Sequence, residues 1–207
     1  MVKILCFGNS LTDGFWHYGL EPPHPYAIAL KEHLVQQKVL DEKDIQIKVE
    51  GKPGDLVNCP PGRFVERMKQ SLQEGQEYDW VIVLGGTNDL GYGSFTPEQI
   101  YAGLKTTWSL ALSSSPTTKL LALTVPECAY ISNKLTRNRD VLNKHIMEHK
   151  EDRFFAFDLK SVIPYHSMDA ERRQEIWDDG LHFTDKGYDL MGHLIAERLI
   201  ELLKETL

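Results

Sequence analysis

Short apolar runs recur along the chain, separated by longer stretches in which apolar residues return every three or four positions. The runs "VKILCF" (2–7), "IQIKVEG" (45–51), "WVIVLGG" (80–86), "KLLALTVP" (119–126) and "RFFAFDL" (153–159) predict five strands. Most are continuous rather than alternating in polarity, as strands covered on both faces are. Between them, residues 24–38, 61–74, 97–114 and 134–150 are compatible with helices. Thr96-Pro97-Glu98-Gln99 is a helix start, with Thr as the cap and Pro in the first turn. A last helix follows Thr184 and places Met191, Leu194, Ile195, Leu199, Leu202 and Leu203 on one face.

Strand and helix alternating in this way imply a parallel sheet with helices on both sides, an α/β fold. No internal repeat, low-complexity segment or linker interrupts the 207 residues, so 1–207 are expected to form a single domain. The loop-like "EGKPGDLVNCPPG" (50–62) reads as a strand-to-helix connection and not as a boundary. In such sheets ligands bind beyond the carboxyl ends of the strands, near the switch in strand order. Chemistry is therefore expected just after each strand.

Composition narrows the function classes. A formal charge of −7 and the lack of a basic run argue against an electrostatic nucleic-acid binder. No apolar stretch approaches the roughly 18 residues of a membrane span. The first residues carry one lysine and too short an apolar run for a secretory signal, so a cytoplasmic location is expected. Cys6, Cys59 and Cys128 form no CxxC pair, which suggests free thiols rather than a disulfide framework or zinc knuckle.

Polar signals fall where the fold places a site. Gly8-Asn9-Ser10-Leu11 follows the first strand, Gly51-Lys52-Pro53-Gly54-Asp55 the second, and Gly85-Gly86-Thr87-Asn88-Asp89 the third. Asp178-Asp179-Gly180-Leu181-His182-Phe183-Thr184 precedes the last helix. These are the parts acyl transfer requires: a hydroxyl nucleophile, a base to activate it, a group to orient the base, and donors for an oxyanion. Ser10 is the expected nucleophile, His182 the base and Asp179 its partner, with Asp178 as the local rival. The amides of Ser10 and Gly54 and the side chain of Asn88 are the expected oxyanion donors, with Gly51 competing for the place of Gly54.

Taken together, the four segments resemble the blocks of the SGNH (GDSL) hydrolase family of serine esterases and lipases, whose Ser, Gly, Asn and His map onto Ser10, Gly54, Asn88 and His182. "GGTND" and "DGLHFT" are highly typical of that family. The resemblance spans essentially the whole chain. It implies a three-layer α/β/α fold with a flavodoxin-like five-stranded parallel sheet. It also implies serine hydrolysis without a metal or cofactor, and small-molecule ester substrates such as short-chain, acetylated-sugar or lysolipid esters. One departure stands out: the family's first block usually reads Gly-Asp-Ser-Leu, and here Asn9 replaces the acid. Asn9 is expected to support the local turn through its side chain and to remove a negative charge beside the nucleophile.

Two other readings compete. His145-Ile146-Met147-Glu148-His149 has the H-x-x-E-H pattern, in which two histidines on one helix face bind zinc and a glutamate acts as base. The Asn9 replacement also makes a catalytically weak binding protein of the same fold conceivable. Aromatic and bulky residues after the site loops (Phe15 to Tyr18, Tyr92, Phe95, Tyr130 and Ile131) suit either a substrate pocket or loop packing equally well.

Overall fold

The computed structural model describes residues 1–73 and 77–204. Strands β1 (Val2–Gly8), β2 (Ile45–Gly51), β3 (Trp80–Leu84), β4 (Lys119–Leu123) and β5 (Phe154–Phe157) form one sheet in the order β2-β1-β3-β4-β5. Every strand pair is parallel. The helices are α1 (Ser10–Asp13), α2 (Ala27–Gln36), α3 (Phe64–Gln73), α4 (Thr87–Tyr92), α5 (Pro97–Ser113), α6 (Asn133–Glu148), α7 (Leu159–Val162), α8 (Ala170–Ile176) and α9 (Asp185–Lys204).

The continuous apolar runs follow from burial on both faces. Ile4 and Cys6 point into a core shared with α2 and α9, and Leu5 and Phe7 into a second core shared with α3, α5 and α6. Alternate residues of one strand thus serve opposite layers, which gives the three-layer α/β/α arrangement. The ridge of α9 named from its periodicity packs as expected: Met191, Ile195, Leu199 and Leu202 are buried, with Leu194 and Leu203 at its margin. Thr184 Oγ1 accepts the Gly187 N–H at 3.1 Å and so caps this helix. Thr96 and Gln99 close a reciprocal capping box at the start of α5.

The register sets up the site. Gly8 at the end of β1 is level with Gly51 of β2 and Leu84 of β3, so the three following loops leave the sheet side by side. Between β1 and β3 the chain order switches direction, the place where sheets of this kind carry their ligand crevice.

Differences from the sequence reading lie at element ends. The third, fourth and fifth strands stop short of 86, 126 and 159, because beyond the sheet edge the backbone finds other partners. Val125, for instance, exchanges both of its backbone hydrogen bonds with the Asn143 side chain of α6. Helix α2 begins after Pro25, with His24 N–H bonded to Gly14 O. Residue 74, the last of the helix expected over 61–74, lies outside the described residues, as do 205–207. Four short helices, α1, α4, α7 and α8, were not foreseen. No helix among the described residues is long and apolar enough to cross a membrane.

Candidate active site

The chain passes from β1 into α1 within two residues. The Asn9 carbonyl accepts the N–H groups of both Thr12 and Asp13 at 3.0 Å, so the backbone itself closes the turn. Ser10 is the first residue of α1, and its N–H has no intrahelical acceptor. The side chain of Asn9 does not do what the sequence suggested. It makes no capping bond, is 1% exposed, and neither its Oδ1 nor its Nδ2 has a partner among the described residues. A carboxylate at this spot would be buried and unpaired, which costs far more than a neutral amide.

Residues 177–183 fold back on themselves, with a bridge between Trp177 and Phe183 and an Asp178 N–H to His182 O bond of 2.9 Å. Gly180 makes the bend at φ 81°, a left-handed conformation that suits glycine, and an added Cβ would meet that of Ala129 at 2.6 Å. The bend returns His182 to Asp179. Asp179 Oδ1 accepts the N–H groups of Leu181 (3.0 Å) and His182 (2.8 Å), and Oδ2 lies 2.8 Å from His182 Nδ1. A carboxylate only accepts, so Nδ1 carries the proton and Nε2 is left as an acceptor. His182 Nε2 lies 3.0 Å from Ser10 Oγ. Both residues sit in a largely dry setting, His182 9% and Ser10 6% exposed.

Burial would raise the Asp179 pKa. The hydrogen bonds from the His182 backbone, the His182 ring and the Leu181 backbone, together with the imidazole charge, outweigh it and hold the carboxyl below its ordinary range. The rival Asp178 has other work: its Oδ2 accepts the His17 N–H at 2.6 Å, tying the segment after α1 to the histidine loop. Phe15 packs its ring 4.8 Å from the His182 imidazole at 60°.

The loop after β2 is held from three sides. Asp55 pairs with Arg67 at 2.8 Å and accepts the Leu56 and Arg63 N–H groups. Arg67 also donates to Gly8 O (3.1 Å) and Glu50 O (2.6 Å) and stacks over Phe7, joining the ends of β1 and β2. Asp89, fully buried, accepts the N–H groups of Val57 and Asn58 and the Asn58 side-chain amide. Asn88 Nδ2 donates to Asp55 O at 2.8 Å, using one of its two protons. Within this clamp Gly54 turns at φ 77°, and its N–H donates to no group among the described residues. Gly51, the competitor, is the last ladder residue of β2 and packs against the Asp13 backbone. Arg67 and Asp89 escaped the sequence reading as site-building residues. Asp89 was legible only as the last letter of "GGTND", and Arg67 gives no local signal.

Beside Asn88 and Asp179 lies a cleft of about 460 Å³, with walls that include Leu90, Val125, Pro126 and Leu135. Of the aromatic candidates, Tyr92 and Tyr130 line this cleft, while Phe95 packs on the α3/α5/α6 core. The H-x-x-E-H residues are otherwise engaged. Helix α6 ends at Glu148, so His149 leaves the helical face of His145. His149 Nδ1 bonds the Tyr101 hydroxyl and Nε2 bonds Glu151, while His145 stacks on Tyr101. Among the described residues no group of three or more His, Cys, Asp and Glu side chains is placed to hold a metal ion. Cys6 is fully buried, and desolvation pushes its thiol up to about 12.

Residues 6–190 match the sequence profile of the GDSL-like Lipase/Acylhydrolase family. No curated protein matches the chain. Among solved structures, an aryl esterase from M. smegmatis superposes with a TM-score of 0.72 at 24% identity, covering 98% of this chain and 100% of that one. A carbohydrate acetylesterase from Sinorhizobium meliloti gives 0.67 at 21% identity, with 98% and 100% covered. A carbohydrate esterase family 3 protein from Talaromyces cellulolyticus gives 0.68 at 15% identity, with 99% of each chain covered. At these identities the likeness is one of fold.

Proposed function

The chain belongs to the GDSL-like lipase/acylhydrolase family, and on that premise we propose that it is a serine esterase that hydrolyses small carboxylic esters through an acyl-enzyme. The observation that carries this reading is the continuous hydrogen-bonded line from Asp179 through His182 to Ser10 Oγ. Nucleophile and base stand 172 positions apart, so residues 1–207 are read as one functional domain.

In the first half-reaction Ser10 Oγ bonds to the ester carbonyl carbon as its proton passes to His182 Nε2. Asp179 holds the ring in the required tautomer and balances the imidazolium charge. The carbonyl electrons move onto oxygen, where the N–H groups of Ser10 and Gly54 and the second Asn88 proton receive them. One such donor is commonly worth about 2.7–4 kcal/mol of barrier. His182 then returns the proton to the leaving alcohol as the C–O bond breaks. Water repeats the sequence on the acyl-enzyme and frees Ser10. The role of Arg67, Asp55 and Asp89 is to keep the Gly54 amide where the oxyanion develops, at no cost in reorganisation during the reaction.

The aryl esterase and the carbohydrate acetylesterase among the structural neighbours support a small acyl group. A panel of 4-nitrophenyl and carbohydrate acetyl esters, with chain lengths from two to twelve carbons, tests this reading. The expected result is turnover of the short esters that disappears in Ser10→Ala; undiminished turnover in that variant overturns it.

A further inference from the structure

We infer that the cleft beside the site receives a carboxylate, bound by Arg139, and therefore that the preferred substrates are esters carrying a carboxylate across a short apolar spacer. The inference rests on the esterase reading above and narrows its substrate class.

Arg139 lies on α6, is 4% exposed, and lines the cleft together with Asn88 and Asp179. Its one hydrogen bond among the described residues runs from Nη2 to Cys128 Sγ at 3.3 Å, a weak acceptor. No carboxylate of the described residues lies within ion-pair distance of it. Two partly buried arginines, Arg67 and Arg153, are treated differently. Arg67 is matched by a carboxylate and two carbonyls, and Arg153 by Asp152 and the carbonyls of Leu112, Ser115 and Thr118. Arg139 alone of the three keeps most of its five N–H donors unmatched.

A guanidinium withdrawn from water without a partner is costly, and the cost is relieved only when an anion or carbonyls meet it. Arg139 borders the cleft, and none of its donors is among the fully enclosed side-chain atoms left without a partner. The planar fork of Arg fits a carboxylate with two parallel hydrogen bonds, and an apolar enclosure strengthens them. Leu90, Val125, Pro126 and Leu135 form that enclosure and leave hydrocarbon to face hydrocarbon. Asn88, a proposed oxyanion donor, borders the same space, so an ester bound at Ser10 can extend one substituent toward Arg139. The negative charge nearest the cleft, Asp179, is already committed to His182.

The carboxylate can belong to the acyl group or to the alcohol, and two matched pairs of esters separate these. The acyl pair is mono(4-nitrophenyl) glutarate against 4-nitrophenyl pentanoate; the alcohol pair is 4-acetoxybenzoate against its methyl ester. In one pair the anion is expected to have a kcat/KM at least about tenfold higher, because a site built for a polar group discriminates against its absence. Arg139→Gln should bring that ratio to about unity and Arg139→Lys should keep part of it, with 4-nitrophenyl acetate turned over within about twofold of wild type. The wild-type ratios need no variant, so they decide the matter even if Arg139→Gln misfolds. No anion preference in either pair, or a preference that survives in folded Arg139→Gln, overturns the inference. Failure of the esterase reading is distinguishable through calorimetric titration of monomethyl glutarate into Ser10→Ala. Saturable binding that is lost on adding Arg139→Gln supports the carboxylate site whether or not esters are turned over. Absence of binding to Ser10→Ala counts against it.

Discussion

His182 Nε2 lies 3.0 Å from Ser10 Oγ, although one residue follows the first strand and the other precedes the last helix. That contact depends on the whole sheet being assembled between them. If the two act as one unit, their effects will not add. Each alanine variant is expected to lose about 10⁴-fold or more in kcat, and the double variant about the same as Ser10→Ala alone. Steady-state kinetics of the four proteins on one short ester checks this. A multiplicative double loss means separate roles.

Asp179→Asn is expected to leave the fold in place and lower kcat by about 10³–10⁴-fold, because the amide permits the wrong imidazole tautomer. Asp178→Asn, at a carboxylate that accepts the His17 backbone N–H and not a proton of the histidine ring, should cost less than about tenfold. The same kinetic comparison separates the two neighbours.

Asp179 also makes a prediction in pH. Its folded pKa is depressed, so its contribution to stability is present above the unfolded value of about 3.9 and is lost as pH falls through the folded value. The stability gap between wild type and Asp179→Asn should therefore be open near neutrality and close in acid. Denaturant melts at a series of pH values measure it. A gap that widens in acid contradicts the assignment.

The Asp55–Arg67 pair tests whether the Gly54 loop is held or merely adjacent. Arg67→Met removes one partner of a buried pair and should cost about 3–5 kcal/mol in denaturant unfolding. Arg67→Lys keeps the charge but not the three-way fork, so it should be the milder change in stability while still lowering kcat more than it raises KM. A KM effect alone would place Arg67 in substrate binding.

Much of this was legible in the chain, and the exceptions share a cause. The strands were readable because each puts alternate residues into two cores, and Asp179 and His182 because the pair is local. Helices α1 and α4 were missed because one turn has too little propensity to form alone; each is held by the sheet edge it leaves. Arg67 and Arg139 look alike in sequence. Only the fold reveals that one is held by two carbonyls and a carboxylate while the other borders a cleft. Asn9 was misread for the same reason: its turn chemistry is plausible locally, but the backbone already makes those bonds.

Asn9→Asp follows from that correction. A carboxyl buried there without partners should have a raised pKa, so the protonated form fits best. The variant should match wild type in acid and fall behind as pH rises above about 3.9, levelling off beyond its folded pKa. A deficit of about 1–3 kcal/mol or more is expected near neutrality, read by thermal or denaturant melts. Equal stability across the range would mean that a partner for the carboxylate exists at this spot.

The central claim is that Ser10 is the nucleophile and His182 activates it. Its most direct measurement is intact-protein and peptide mass spectrometry after treatment with a fluorophosphonate. One adduct is expected, on the peptide containing Ser10, absent from Ser10→Ala and formed far more slowly in folded His182→Ala. Esterase activity that persists with Ser10 unlabelled, or labelling at full rate without His182, would contradict it.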